Sequence, residues 1–156
     1  PETPATGVSD RGYLVKQIGE EAGILVPDTG DLIVTLTVTS IEPNFTCTSP
    51  DAEPSVYGNY VAFTFDAQAN ESLAETEAPF FKIEYTYFHL FGTDGTEAIG
   101  LSGNGNTCID ASEQPPARLL PGESVTATIV FDVEYTSGII GWAPETLDGG
   151  GWEWHY

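Results

Sequence analysis

Leu119 to Val133 reads LLPGESVTATIVFDV, and its pattern decides the fold class. A Pro121-Gly122 corner feeds a run in which Val125, Ala127, Ile129, Phe131 and Val133 hold every second position. Thr126, Thr128, Asp132 and Glu134 fill most of the gaps. Successive side chains of a strand point to opposite faces, so this alternation predicts a strand with one dry face and one wet face.

The same period recurs on both sides of that stretch. Upstream, Leu32, Val34, Leu36 and Val38 alternate with Ile33, Thr35, Thr37 and Thr39. Val61, Phe63, Phe65 and Ala67 alternate with Tyr60, Ala62, Thr64, Asp66 and Gln68. Shorter edge strands are expected at Tyr13 to Ile18 and Ala22 to Val26, and Ile139 to Ala143 gives another. Trp152, Trp154 and Tyr156 alternate with Glu153 and His155 in a closing strand. Pro27-Asp28-Thr29-Gly30, Thr93-Asp94-Gly95-Thr96 and Asp148 to Gly151 carry turn chemistry. Glu71 to Pro79 reads as a loop or a single helical turn, and no long amphipathic helix interrupts the series. These signals predict an all-β chain, an antiparallel immunoglobulin-like β-sandwich of about seven to nine strands. Residues 1–11, polar and proline-containing, read as a flexible tether, and residues 12–156 as a single sandwich domain.

Composition narrows the function. The 156 residues carry 24 Asp and Glu against four Lys and Arg, a formal charge of −20. Such a surface repels nucleic-acid phosphates and anionic lipid headgroups, so neither is an expected partner. No apolar run approaches the roughly 18 residues of a membrane helix, so direct membrane insertion is not expected. The acidity serves solubility, or else attracts cations or a basic partner.

Cys47 and Cys108 lie far apart, outside any Cys-x-x-Cys pair and away from any Cys/His cluster. In an acidic, β-rich chain they point to a disulfide formed in an oxidising compartment, the alternative being two buried free thiols. Closing so long a loop contributes about 4 kcal/mol in the chain-entropy description. The opening PETPATGVSD has the character of an exported chain after removal of its targeting segment.

Five segments together resemble a known family. They are Leu120-Pro121-Gly122-Glu123-Ser124, Val130-Phe131-Asp132-Val133, Gly150-Gly151-Trp152-Glu153-Trp154, Val61-Ala62-Phe63-Thr64-Phe65 and Gly92-Thr93-Asp94-Gly95. In order and spacing, and with the cysteine pair, they resemble the small secreted actinobacterial domains with an immunoglobulin-like, telokin-like sandwich. That family includes the mycobacterial immunoprotective extracellular protein and many lipoproteins. The resemblance implies an exported sandwich, extracellular or anchored at the cell surface, and supplies no catalytic residues.

The residues themselves offer little for catalysis. The histidines are His89 and His155, and neither Ser102 nor Ser124 sits in a nucleophile elbow. With so many carboxylates, no single pair marks a glycosidase site. No enzymatic activity and no cofactor are expected. Weak calcium candidates are Asp28 with Asp31, Asp51 with Glu53, and Asp94 near Glu97, though none matches a calcium-loop pattern. Glu153, His155 and His89 form a weaker transition-metal set. The aromatics are more informative: Trp142, Trp152 and Trp154, with Tyr57, Tyr60, Tyr85 and Tyr87, are candidates for a platform on which sugar rings stack. The competing arrangement buries Trp152, Trp154 and Tyr156 in the core, which their alternation with Glu153 and His155 fits. The sequons Asn44-Phe45-Thr46 and Asn70-Glu71-Ser72 stay bare in a bacterial chain.

The leading expectation is a protein-binding domain at the cell envelope or outside the cell. Its contact surfaces are the loops Asn44 to Tyr57 and Gly100 to Pro116, tied by the disulfide. A glycan-binding module and a calcium-stabilised adhesin domain are the alternatives.

Overall fold

The computed structural model describes residues 7–25, 29–76, 78–144 and 150–156. Eight strands form within them: β1 (Tyr13–Val15), β2 (Glu21–Leu25), β3 (Leu32–Glu42), β4 (Asn59–Ala69), β5 (Phe88–Gly92), β6 (Ser124–Val133), β7 (Gly138–Trp142) and β8 (Gly151–His155). They make two four-stranded sheets, ordered β1-β8-β7-β5 and β2-β3-β4-β6. Every pairing is antiparallel except β1 on β8. The result is a β-sandwich, as the alternating segments predict, with the one disulfide that the isolated cysteine pair points to. The stretch Glu71–Glu75 is one short 3-10 turn.

The inner faces meet in an aromatic core. Phe63 on β4 sits edge-on to Phe88, Phe131 and Trp154, with ring centroids 5.6, 6.0 and 5.4 Å away. Val34, Leu36 and Val38 from β3 and Ile140 and Trp142 from β7 complete it. Period-2 alternation delivers these residues to one side, and the burial of each large side chain contributes about 1.5–3 kcal/mol.

One half of the outer face of the β2-β3-β4-β6 sheet is also dry. Tyr60, Ala62 and Val130 lie there under Cys108 and Ile109, with Phe45 and Cys47 packed against them. The Cys47–Cys108 disulfide, with Cα atoms 4.6 Å apart, pins the covering loops together. This corrects the sequence reading of β6. Its even positions are wet only at Ser124, Thr126 and Thr128, whereas Val130 and Asp132 are buried. Local alternation carries no record of a loop returning from elsewhere in the chain.

The opposite sheet shows a parallel case. Glu153, expected on a polar face, is fully buried. Arg11 reaches it from the N-terminal segment, donating from Nε to Oε2 at 2.8 Å and from Nη2 to Oε1 at 3.1 Å. The guanidinium also lies over the Phe91 ring, 5.2 Å from its centroid. The segment before β1 is therefore riveted across the outer face of its sheet. Of the residues expected to form the tether, 1–6 lie outside the described residues, and Val8 bridges Leu14 beside β1.

Candidate functional site

Two carboxylates on β6 and its exit organise one end of the sandwich. Asp132, fully buried, accepts hydrogen bonds from the Ser55 hydroxyl at 2.6 Å and from three backbone N–H groups. Those are Val56 at 2.8 Å, Tyr57 at 3.0 Å and Asn104 at 3.1 Å. Burial pushes its pKa up, but the Ser55 hydroxyl and the three N–H donors outweigh that and hold it below the ordinary aspartate value. Gly103 has φ +40°, and a Cβ there would collide with the Asp132 carboxylate. Glu134, two residues on, accepts from the N–H groups of Ile99 at 2.8 Å and Gly100 at 3.0 Å. Desolvation opposes its ionisation, and those two donors again prevail, lowering its pKa.

Neighbouring polar groups extend this frame. Asn59 at the start of β4 accepts the Asn44 N–H at 2.7 Å and donates to the carbonyls of Val133 and Tyr135 at 3.0 and 2.9 Å. Asn104 donates from its side chain to the Pro54 carbonyl at 2.9 Å. Thr48 and Ser49 donate their N–H groups to the Cys108 carbonyl. The two loops joined by the disulfide are thus also joined by side-chain hydrogen bonds to the strands.

What this frame presents is apolar. Val56 is 60% exposed, Tyr57 38% and Ile99 84%. The Tyr57 ring lies on Gly100, where an added Cβ would stand 2.7 Å from ring carbon Cγ. That brings the tyrosine beside Ile99. The backbone on each side of this tip is held by a carboxylate, and exposed Asp51 and Glu53 lie on the same loop as Val56 and Tyr57. The tip is an ordered apolar projection, suited to contact with another macromolecule.

The sequence-predicted aromatic platform does not form. Trp142, Trp152 and Trp154 are all buried, so no indole face is open for a sugar to stack on. The reason is packing: all three point inward from β7 and β8, and Trp142 stacks near Phe88 and Trp152. Tyr60 is buried under the disulfide loops and donates its hydroxyl to the Glu53 carbonyl at 2.7 Å. Tyr85 is half-buried against Phe131 and donates its hydroxyl to the Val130 carbonyl at 2.7 Å. Tyr87 is half-buried against the core. Of the candidate binding aromatics, Tyr57 alone is exposed.

The metal candidates are likewise dispersed. Asp28 lies outside the described residues, and Asp31 is exposed, its own N–H donating to the Thr29 hydroxyl. Asp94 accepts the Thr96 N–H within its own turn, while Glu97 sits 3.2 Å from His89. Register places His89 beside Gly141 and Gly141 beside Glu153, so sequence-distant residues do share one face. Glu153 is nevertheless committed to Arg11, and His155 Nε2 stands 3.7 Å from Glu153 Oε1. Among the described residues no group of three or more His, Cys, Asp or Glu is placed to hold a metal ion.

Sequence reasoning missed both organising acids. Local alternation puts Asp132 on the wet face of its strand and makes Glu134 another gap-filler. A faint signal was available in the neighbouring Ser55, Gly100 and Gly103, residue types suited to close approach, but nothing local tied them to β6.

No protein-family model matches the chain, and no curated protein matches it in sequence. One solved structure shares its fold, and two others superpose more loosely. The secreted protein MPT63 of Mycobacterium tuberculosis superposes with TM-score 0.57 at 18% identity, covering 90% of this chain and 97% of that one. An uncharacterised β-sandwich protein of Clostridium difficile gives 0.47 at 13% identity over 99% and 98%. A Bacillus subtilis protein described as a putative lipoprotein gives 0.48 at 11% identity, covering 80% of this chain and 36% of its own. The first of these establishes a distant likeness to a secreted mycobacterial sandwich at the level of fold.

Proposed function

We propose that this chain is an exported, non-enzymatic immunoglobulin-like domain that binds a protein at the cell envelope or outside the cell. The observation that carries the reading is the Val56-Tyr57-Ile99 tip. Exposed apolar side chains stand on backbone that Asp132 and Glu134 hold in place. A surface ordered before contact loses less conformational entropy on binding, so the hydrogen-bonded frame favours recognition there.

Two further features support export and the absence of catalysis. A disulfide suits an oxidising compartment, and the fold is shared with a protein described as secreted. The buried acids are occupied structurally, Glu153 by Arg11 and Asp132 by four donors. Burial of the three tryptophans counts against sugar stacking on their rings.

Substitution of the tip tests the reading. Tyr57→Ala combined with Ile99→Ser is expected to abolish capture of a partner from extracts of the producing cells while leaving the melting temperature unchanged. Capture equal to that of the wild type refutes the assignment.

A further inference from the structure

The free edge of β6 changes character halfway along. In an antiparallel strand the N–H and C=O of alternate residues point to the same side. The β4–β6 ladder runs without a register shift from Asn59↔Val133 to Gln68↔Ser124. At its far end the outward groups are covered: Asp132 N–H donates to the Leu101 carbonyl at 2.9 Å, and the Val130 carbonyl accepts from the Tyr85 hydroxyl. The same parity turns the N–H and C=O of Thr128 and Thr126 outward. Among the described residues neither has a hydrogen-bond partner there.

Both edges of the opposite sheet fare differently. Beside β1 lies the Val8–Leu14 bridge, and beside β5 the Phe91–Glu97 bridge. At Thr128 the chain instead leaves a slot of about 200 Å³ beside the strand. One wall is β6 itself, at Thr128 and Ile129. The other walls come from Ile83 and Tyr85, which pack with the core, and from Pro115 and Pro116. Both prolines lack an N–H, so neither can donate across the slot to the open edge.

We infer that this edge receives an extended segment of a partner polypeptide, added as a fifth strand beside β6. Backbone pairing at Thr126 and Thr128 supplies affinity, and the slot takes an apolar side chain. Charge sets the segment's chemistry. Glu84 lines the slot, Asp66 on β4 stands opposite Thr126, and the chain as a whole carries −20. Lys82 and Arg118, each next in sequence to a slot-lining residue, are drawn over the Phe80 ring, 5.9 and 4.5 Å from its centroid. A segment alternating apolar with basic residues fits this edge. A second copy of the chain does not, because two such acidic surfaces repel. The site is separate from the Val56-Tyr57-Ile99 tip, so either assignment can fail alone.

A synthetic peptide alternating valine and lysine serves as the probe, with a valine–glutamate peptide as its counterpart. Amide hydrogen exchange of the disulfide-bonded protein is expected to slow at Thr126 and Thr128 when the lysine peptide is added. Thr128→Pro removes the outward N–H at a position where an edge strand tolerates proline, and is expected to weaken binding about tenfold. Thr128→Val keeps the N–H and is expected to bind as the wild type does. Equal binding to Thr128→Pro, or protection elsewhere only, shows general attraction to an acidic surface and overturns the inference. Equal binding of the glutamate peptide overturns its charge component. Protection that rises with the protein's own concentration assigns the edge to a second copy and also overturns it.

Discussion

Asp132→Ala strips one acceptor from four donors: the Ser55 hydroxyl and the N–H groups of Val56, Tyr57 and Asn104. Each buried donor left unpaired costs about 1–3 kcal/mol, but those nearer the loop surface regain water, and removing a buried charge relieves desolvation. The net loss works out at about 3 kcal/mol. For a chain of this size that lowers the melting temperature by about 6–12 °C. Urea denaturation with amide exchange is the assay, and the amides of Val56, Tyr57 and Asn104 should lose protection before those of β3 and β4. The effect has a defined pH dependence. Because the folded-state pKa of Asp132 lies below its ordinary value of 3.8, its stabilisation is fully present above that value. It is lost as pH falls through the lower folded-state pKa. The gap between wild type and variant should therefore close in acid. A loss under about 0.5 kcal/mol at neutral pH, the scale of an ordinary surface change, or a gap that persists in acid, refutes the reasoning.

Other perturbations probe the remaining supports. Arg11→Ala leaves Glu153 buried without its cation and is expected to cost about 3 kcal/mol, with Arg11→Lys an incomplete rescue because the paired donors are lost. Limited proteolysis should then cut within residues 7–15; an uncut, equally stable variant contradicts the rivet. Replacing both Cys47 and Cys108 by serine should cost up to about 4 kcal/mol and free the covering loops before the sheets unfold, as read by exchange at Ile109. Burial, with Glu134 nearby, pushes the Tyr156 phenol up to about 12, and burial likewise raises Tyr85. Alkaline titration of the native protein should therefore leave some of its seven tyrosines un-ionised past the ordinary range, whereas a single midpoint near 10 for all contradicts their burial.

The sheets were legible because their signal is local. Val125 to Val133 and Val61 to Ala67 declare strands through neighbours alone, and both occur where expected. The candidate site was legible only as a pair of loops. Val130 and Asp132 are buried by segments brought back across the disulfide, and Glu153 by an arginine 142 residues away in sequence. Alternation reports which residues share a face; it is blind to what later covers that face. The tryptophans illustrate the same limit, since their shared face fits a ligand platform or a core equally well until the second sheet is in place.

The most direct test of the central claim is site-specific photo-cross-linking in the producing cells. A photoreactive residue at position 99, within the apolar tip, is compared with one at position 75, in the exposed turn at the far end of β4. A discrete protein adduct from position 99, absent from position 75 and lost when Tyr57→Ala is added, is the predicted result. No adduct at position 99, or the same adducts from both positions, contradicts the assignment of the tip as the binding surface.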